Sequence, residues 1–468
     1  MVAAQDYTDL SRSQLVISFS LVTSLFFLWG LSYGLLDVLN QHFLKIFHLT
    51  EVQTTLLQFA YFVAYLVVAP PMGMLMRRIG YKWGIHIGLT LFSIGAILFW
   101  PSAVYHQYGM FVAFTFLCGS GMATLETAAN SYIVVLGPPK FAAFRLTLAQ
   151  SFNGIATVIG PLIASRTFFN EDLDQDGNQL GTVQYVYLAM ALFALCLNIG
   201  LAFCKLPEVR QAVKPEHVEF IKKEGYKGIL KKYHTVFGFF AEFFYVGAQV
   251  AVASMAIFYI TRQPGINPPI SNAHASDLFS VCQAVFTIGR FVGVAYLRYI
   301  DSCFALFVHG SMLILFAILT SFVNGYGGIA CLNLIFFFES VCYPVIFSIA
   351  TSNLGPYATF GGGLLSAGVS GGAAWPSAQA ALLHRVSAQR SYLVAMAGFV
   401  PLMTYGLVMW IVKCKRLGRW TILNRHLDGA VDHVPHSSDY DDRISEPEKE
   451  DIVMEESKDG KVAVVERL

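Results

Sequence analysis

Residues 108–136, YGMFVAFTFLCGSGMATLETAANSYIVVL, contain one charged side chain, Glu126. A helix rises 1.5 Å per residue, so roughly 20 apolar residues cross the roughly 30 Å hydrocarbon core of a bilayer. This stretch is long enough to span, and it is one of twelve. In order they are 15–46, 53–76, 84–102, 108–136, 145–167, 183–204, 235–261, 275–298, 303–323, 327–351, 360–383 and 391–413. Glycine is frequent in them, as membrane helices tolerate. The expected fold is an all-α membrane protein of twelve transmembrane helices.

Composition agrees. Of 468 residues, 55% are hydrophobic and 13% charged, against roughly 25% charged in a soluble domain. Mean hydropathy is +0.56. These values exclude a disordered chain, a coiled coil and an ordinary soluble enzyme. The net charge of +1 conceals an asymmetry: after Trp420, 13 acids face 6 bases. The eight cysteines fall in apolar segments or at their ends, with no CxxC spacing, so neither a disulfide framework nor a zinc site is expected. The polar start followed by a long apolar stretch reads as a first spanning helix rather than a cleaved signal peptide. No phosphate loop, loop nucleophile or separate basic domain appears, so no enzyme, cofactor or nucleic-acid partner is expected.

With the N-terminus inside, 19 Lys and Arg lie near the inner membrane face and 5 near the outer. That bias follows the positive-inside rule and places both termini in the cytosol of a multi-pass protein, expected in the plasma membrane. The chain divides at the polar, basic segment 205–234. Leu136-Gly137-Pro138 recurs as Leu354-Gly355-Pro356 after 218 residues, and the Gly73/Arg78 pair as Gly293/Arg298 after 220. Two parallel six-helix repeats explain both offsets. The expected layout is a cytosolic N-terminus 1–14, a six-helix domain 15–204, a linker 205–234, a second six-helix domain 235–413 and an acidic cytosolic tail 414–468. The tail reads as disordered from about residue 421, as a solvated terminus or a regulatory or trafficking segment.

Charged groups in hydrocarbon are costly and mark function more often than not. Five occur here: Asp37, Glu126, Glu242, Arg290 and Glu339. Asp37 lies in the outer half of helix one, where a carboxylate must neutralise or find a partner. It suits a group loaded with a proton from outside; a fixed ion pair is the alternative. Glu126 lies in the inner half of helix four. Asn130 is four residues on, on the same face, with Gly119 and Gly121 one to two turns before. That stripe reads as a wet, solute-lined face, or else as a buried acid bonding across helices. Gln150 and Asn153 share a face of helix five, and their amides suit sugar hydroxyls or helix–helix bonding equally. Glu242 reads as structural or interfacial, with Gln249 two turns along the better cavity residue. Arg290 is expected to pair with an acid across the bundle. Glu339 and Tyr343 stand at i and i+4, and Pro344 breaks the helical ladder there, at a hinge, a site or a packing kink. Trp29 is offset from Asp37 by about 80° around helix one; its ring suits the apolar face of a pyranose, or ordinary core packing.

The runs FFLWGLSYGLLDVLNQHF, GMLMRRIGYKWGI, LETAANSYIVVLGP and FRLTLAQSFN, continued by YVGAQ and YPVIFSIATSNLGP, resemble the L-fucose:proton symporter family of the major facilitator superfamily, from about residue 20 to 410. In Gly73-Met74-Leu75-Met76-Arg77-Arg78, Arg77 replaces an acid common in the superfamily, and the fucose-symporter branch is also basic there. The resemblance implies two six-helix domains around a central cavity, and uptake of a monosaccharide driven by a cation gradient. It implies that Asp37 and Glu126 couple protons to sugar, while Trp29, Asn130, Gln150, Asn153, Gln249 and Tyr343 line the cavity. Departures exist. Tyr33, Gly34 and Leu36 replace an asparagine-rich stretch before Asp37, and Glu242 and Glu339 replace uncharged residues. The acidic tail resembles eukaryotic, fungal-like members. Hexoses, deoxyhexoses and N-acetylglucosamine all remain open as substrates.

The expected function is therefore a monomeric proton-coupled monosaccharide symporter working by alternating access. Sodium is the alternative ion. The rival readings are a facilitative uniporter, which needs no titrating acid, and a sugar sensor that signals through its tail.

Overall fold

A computed structural model describes residues 10–47, 51–167, 181–204, 206–209, 225–352 and 354–424. The helices are α1 (Arg12–Ile46), α2 (Glu51–Ile79), α3 (Tyr81–Ile97, resuming as Phe99–Val104), α4 (Tyr108–Val135), α5 (Ala142–Thr167) and α6 (Gly181–Phe203). They continue as α7 (Tyr233–Thr261), α8 (Asn272–Leu297), α9 (Ser302–Phe322), α10a (Gly325–Glu339), α10b (Cys342–Ala350), α11a (Ala358–Gly368), α11b (Gly371–Arg385) and α12 (Tyr392–Arg416). Among the described residues, ten spans are long and apolar enough to cross a membrane. Two more elements complete the twelve: α5, whose last side chains lie outside the described residues, and α11, interrupted at Val369 and Ser370. Most of the linker, at 210–224, and the tail from 425 lie outside the described residues.

The packing repeats with a six-helix step. In the first half α1 packs on α5, α2 on α4, and α3 on α4 and α6; in the second, α7 packs on α11, α8 on α10, and α9 on α10 and α12. The halves meet through α2 against α11 and α5 against α8, a pair that the same step exchanges. The two Leu-Gly-Pro sequences take equivalent places. Each precedes or opens a short 3-10 turn, Pro139–Phe141 or Gly355–Tyr357, leading into α5 or α11a.

Glycines set the closest approaches. A Cβ on Gly119 would stand 2.6 Å from the Tyr61 carbonyl of α2, and one on Gly121 would stand 2.7 Å from the Gly88 carbonyl of α3. Both positions admit only a hydrogen on the α-carbon, so α4 lies tight against two neighbours. This corrects the expectation of a solute-lined stripe: the two glycines face helix backbones. Gly30 does the same for α1 on α5, where a Cβ would sit 2.9 Å from the Ala156 methyl.

The helical interruptions follow from proline. Pro344 has no N–H for the carbonyl four residues before it, at Ser340. The break therefore falls at Ser340 and Val341, upstream of the proline itself, and α10b restarts at Cys342. Glu339 and Tyr343 consequently do not share a continuous helical face, contrary to their spacing. Polar caps fix the helix ends. The Glu208 carboxylate accepts from the backbone N–H groups of Tyr81 (3.0 Å) and Lys82 (3.1 Å), and so caps the first turn of α3. The Arg145 guanidinium donates to the carbonyls of Ile133 (3.2 Å) and Val134 (2.8 Å), satisfying the end of α4.

Candidate functional site

The tight packing of α4 carries Glu126 into the centre of the bundle, where it is 3% exposed. One helical turn on, Asn130 is fully buried. The Asn130 Nδ2 group donates to Glu126 Oε1 at 3.3 Å and to the Tyr343 hydroxyl oxygen at 3.0 Å. The Tyr343 hydroxyl itself donates to Glu126 Oε1. From α5, Gln150 Nε2 donates to Asn130 Oδ1 at 3.3 Å. Four polar side chains thus form one buried chain, Gln150–Asn130–Tyr343–Glu126, with Tyr343 contributed by the second half. Its capacity is not filled: Glu126 Oε2 and Gln150 Oε1 are buried and have no hydrogen-bond partner. Unmatched buried acceptors of this kind suit a ligand's hydroxyls or a proton.

Arg290 closes the other side. It is 4% exposed and enters no ion pair among the described residues, contrary to the expected pairing with an acid. Its Nη1 group donates to Asn153 Oδ1 at 2.8 Å and to the Gln150 carbonyl. Its Nε group donates to the Ser340 carbonyl at 3.1 Å, the very group that Pro344 leaves unpaired. The guanidinium also lies over the Phe286 ring at 4.5 Å. One cation therefore ties α8 to α5 across the seam between the halves, and to the break in α10. Three oxygen acceptors and a ring share its charge in place of a carboxylate.

Aromatic groups border the chain. The Trp29 ring is half-buried, 6.2 Å from Tyr343 and 6.3 Å from Phe26. On α2, Tyr61 and Tyr65 pack 5.8 Å apart, with their buried hydroxyls facing each other and that of Tyr65 facing Glu126. Neither tyrosine stood out in the sequence, although their i, i+4 spacing in an apolar helix was a usable signal.

The structure thus brings together Trp29, Glu126, Asn130, Gln150, Asn153 and Tyr343. Gln249 is half-buried on α7 and makes no hydrogen bond to this chain. The side chain of Asp37 lies outside the described residues, although its backbone belongs to α1. Glu242 is wholly buried, not interfacial, and Glu339 is also buried; none of their four carboxylate oxygens has a partner. Among the described residues no group of three or more His, Cys, Asp or Glu could hold a metal ion.

Residues 21–376 match the Major Facilitator Superfamily. A glucose/galactose transporter of Brucella abortus is 34% identical over 388 residues, covering 83% of this chain and 92% of its own. The L-fucose-proton symporter of Escherichia coli K12 is 30% identical over 382 residues, covering 77% of this chain and 85% of its own. The crystal structure of the superfamily transporter FucP in the outward conformation has a TM-score of 0.73 and 27% identity. The match covers 85% of this chain and 99% of that one. The chain belongs to the Major Facilitator Superfamily, in the family of the L-fucose:proton symporters.

Proposed function

We propose that this protein is a secondary active transporter that takes up a monosaccharide with protons by alternating access. The carrying observation is the buried chain Gln150–Asn130–Tyr343–Glu126, which joins the halves and leaves acceptors open at Glu126 and Gln150. The names of the relatives support the same class, with glucose or galactose and L-fucose as the first sugars to test.

In this reading Asn130 and Gln150 exchange their mutual hydrogen bond, and Asn153 its bond from Arg290, for sugar hydroxyls. The Trp29 ring offers an apolar face to the pyranose, and Gln249 approaches it from α7. Glu126 and Asp37 carry the coupling protons. A buried charged carboxylate is costly, so loading a proton lowers the cost of closing the site around the sugar. The halves, 15–204 and 235–413, then rock about the seam, and the proton leaves on the other side. Lys and Arg placement supports cytosolic termini, with the protein acting as a monomer in the plasma membrane. A proton is preferred to sodium because the relatives include proton symporters.

The test is uptake of a labelled sugar panel into proteoliposomes under an inward proton gradient. Glu126→Gln should lower the accumulation ratio while sugar exchange across the membrane persists, and Asp37→Asn should do likewise. A variant that still accumulates sugar to the wild-type level removes that acid from the coupling role.

A further inference from the structure

Glu242 is left over by this mechanism. It lies on α7, 0% exposed, and neither carboxylate oxygen has a hydrogen-bond partner. A carboxylate buried without a partner is stable only when a proton or a cation neutralises it. Among the described groups, the charged one within electrostatic reach is another acid, Glu126. Arg290 bears on Tyr245, Glu126 and Tyr343 but spends its donors on backbone and amide oxygens. The other titratable groups facing Glu242 are neutral-acid types: Tyr343 and Cys342 from α10b, Tyr405 from α12 and Tyr245 from its own helix.

Position makes this acid more than a buried oddity. Glu126 stands nine residues before the end of α4 at Val135, and Glu242 nine residues after the start of α7 at Tyr233. Those two helix ends lie on the same side of the bundle, so both acids sit at one depth, about 13 Å in. They belong to opposite halves. Between them stands α11a, which packs on both α4 and α7. Its Gly368 lets α7 close in: a Cβ there would meet the Cβ of Glu242 at 2.9 Å. One half-turn to either side, Ser366 and Ser370 carry buried hydroxyls, that of Ser366 facing Tyr343. Tyr343, bonded to Glu126, lies beside Ser366 and within electrostatic range of Glu242. Unfilled carboxyl and hydroxyl groups therefore run from Glu126 to Glu242 along one seam, the composition of a proton relay in a membrane.

We infer that Glu242 is a further proton-carrying site, exchanging with Glu126 through Tyr343 and Ser366, so that each sugar moves with one more proton than Asp37 and Glu126 supply. Two like charges facing each other across the seam would oppose its closure. Protonation of Glu242 thereby joins closure of the halves to proton uptake.

This inference rests on proton-coupled transport, and one experiment separates the two. In proteoliposomes holding the full chain, the limiting accumulation of the transported sugar is measured against an imposed pH difference, with the voltage clamped to zero. Each coupled proton contributes about tenfold in accumulation per pH unit. Glu242→Gln is expected to keep sugar counterflow and to lose one such factor of about ten at a one-unit gradient. Wild-type accumulation in Glu242→Gln overturns the inference and leaves proton coupling standing. A wild-type protein that only equilibrates sugar overturns both. Should Glu242→Gln lack counterflow, Glu242→Asp decides. Recovery of counterflow with the wild-type slope supports the proton site; a lack of recovery assigns Glu242 to packing.

Discussion

Replacing Arg290 with lysine tests whether the guanidinium holds the halves together. Its three hydrogen bonds reach the Ser340 carbonyl (3.1 Å), Asn153 Oδ1 (2.8 Å) and the Gln150 carbonyl. Two of them cross from α8 to α5, hence between the halves. Lysine keeps the charge but has a compact ammonium in place of a planar fork, so it can retain the Ser340 carbonyl within its own half and loses the two acceptors on α5. Hydrogen bonds to charged groups contribute about 1.5 kcal/mol or more each, giving about 3 kcal/mol lost from the closed arrangement. At about 1.4 kcal/mol per factor of ten, the closed-to-open ratio should fall roughly 100-fold. Arg290 and Gln150 both sit in the part of the bundle nearer the termini, so that end should open. Spin labels on exposed Arg78 and Lys415, at that end of the two halves, would read the change by electron–electron dipolar spectroscopy. The expected result for Arg290→Lys is a longer, broader distance distribution and weaker apparent sugar binding. An unchanged distribution together with wild-type transport would refute the clamp.

Two further substitutions probe the scaffold. Gly119→Val sets methyl groups against the Tyr61 carbonyl, where even a Cβ stands 2.6 Å away; overpacking of about 2–3 kcal/mol should lower both the thermal midpoint in detergent and the folded yield, in contrast to a silent change at open Gly109. Glu208→Ala removes the acceptor of two backbone N–H groups at the start of α3, so a loss of roughly 1 kcal/mol should appear as a midpoint lowered by a few degrees, with the sugar accumulation ratio unchanged.

Some of this was legible in the chain and some was not, for physical reasons. Spanning helices announce themselves because the bilayer demands continuous apolar length. The i, i+4 pair Glu126 and Asn130 and the i, i+3 pair Gln150 and Asn153 share faces by helix geometry alone, so their clustering could be anticipated. The partners of Arg290 could not, because two of its three acceptors are backbone carbonyls, which every residue possesses. Glycine is equally mute: Gly119 and Gly121 look alike whether they line a cavity or admit a neighbouring backbone. Glu242 reads from the sequence as structural or interfacial, and only the packing of α11a over α7 shows it sealed inside. Pro344 announces a break in α10, and its place at Ser340 and Val341 follows because a proline's missing donor is felt one turn upstream.

That missing donor also determines which positions of α10 are free to change. The cation grips an oxygen that belongs to the main chain at residue 340, so what is gripped is independent of the side chain, which buried Ser340 keeps small against Gly289 of α8. Position 344 is different. Any residue with an N–H restores a competitor for the same oxygen and invites the helix to run straight through. The specificity for arginine on α8 is therefore written four residues away from the atom it touches, in an imino acid that never meets it.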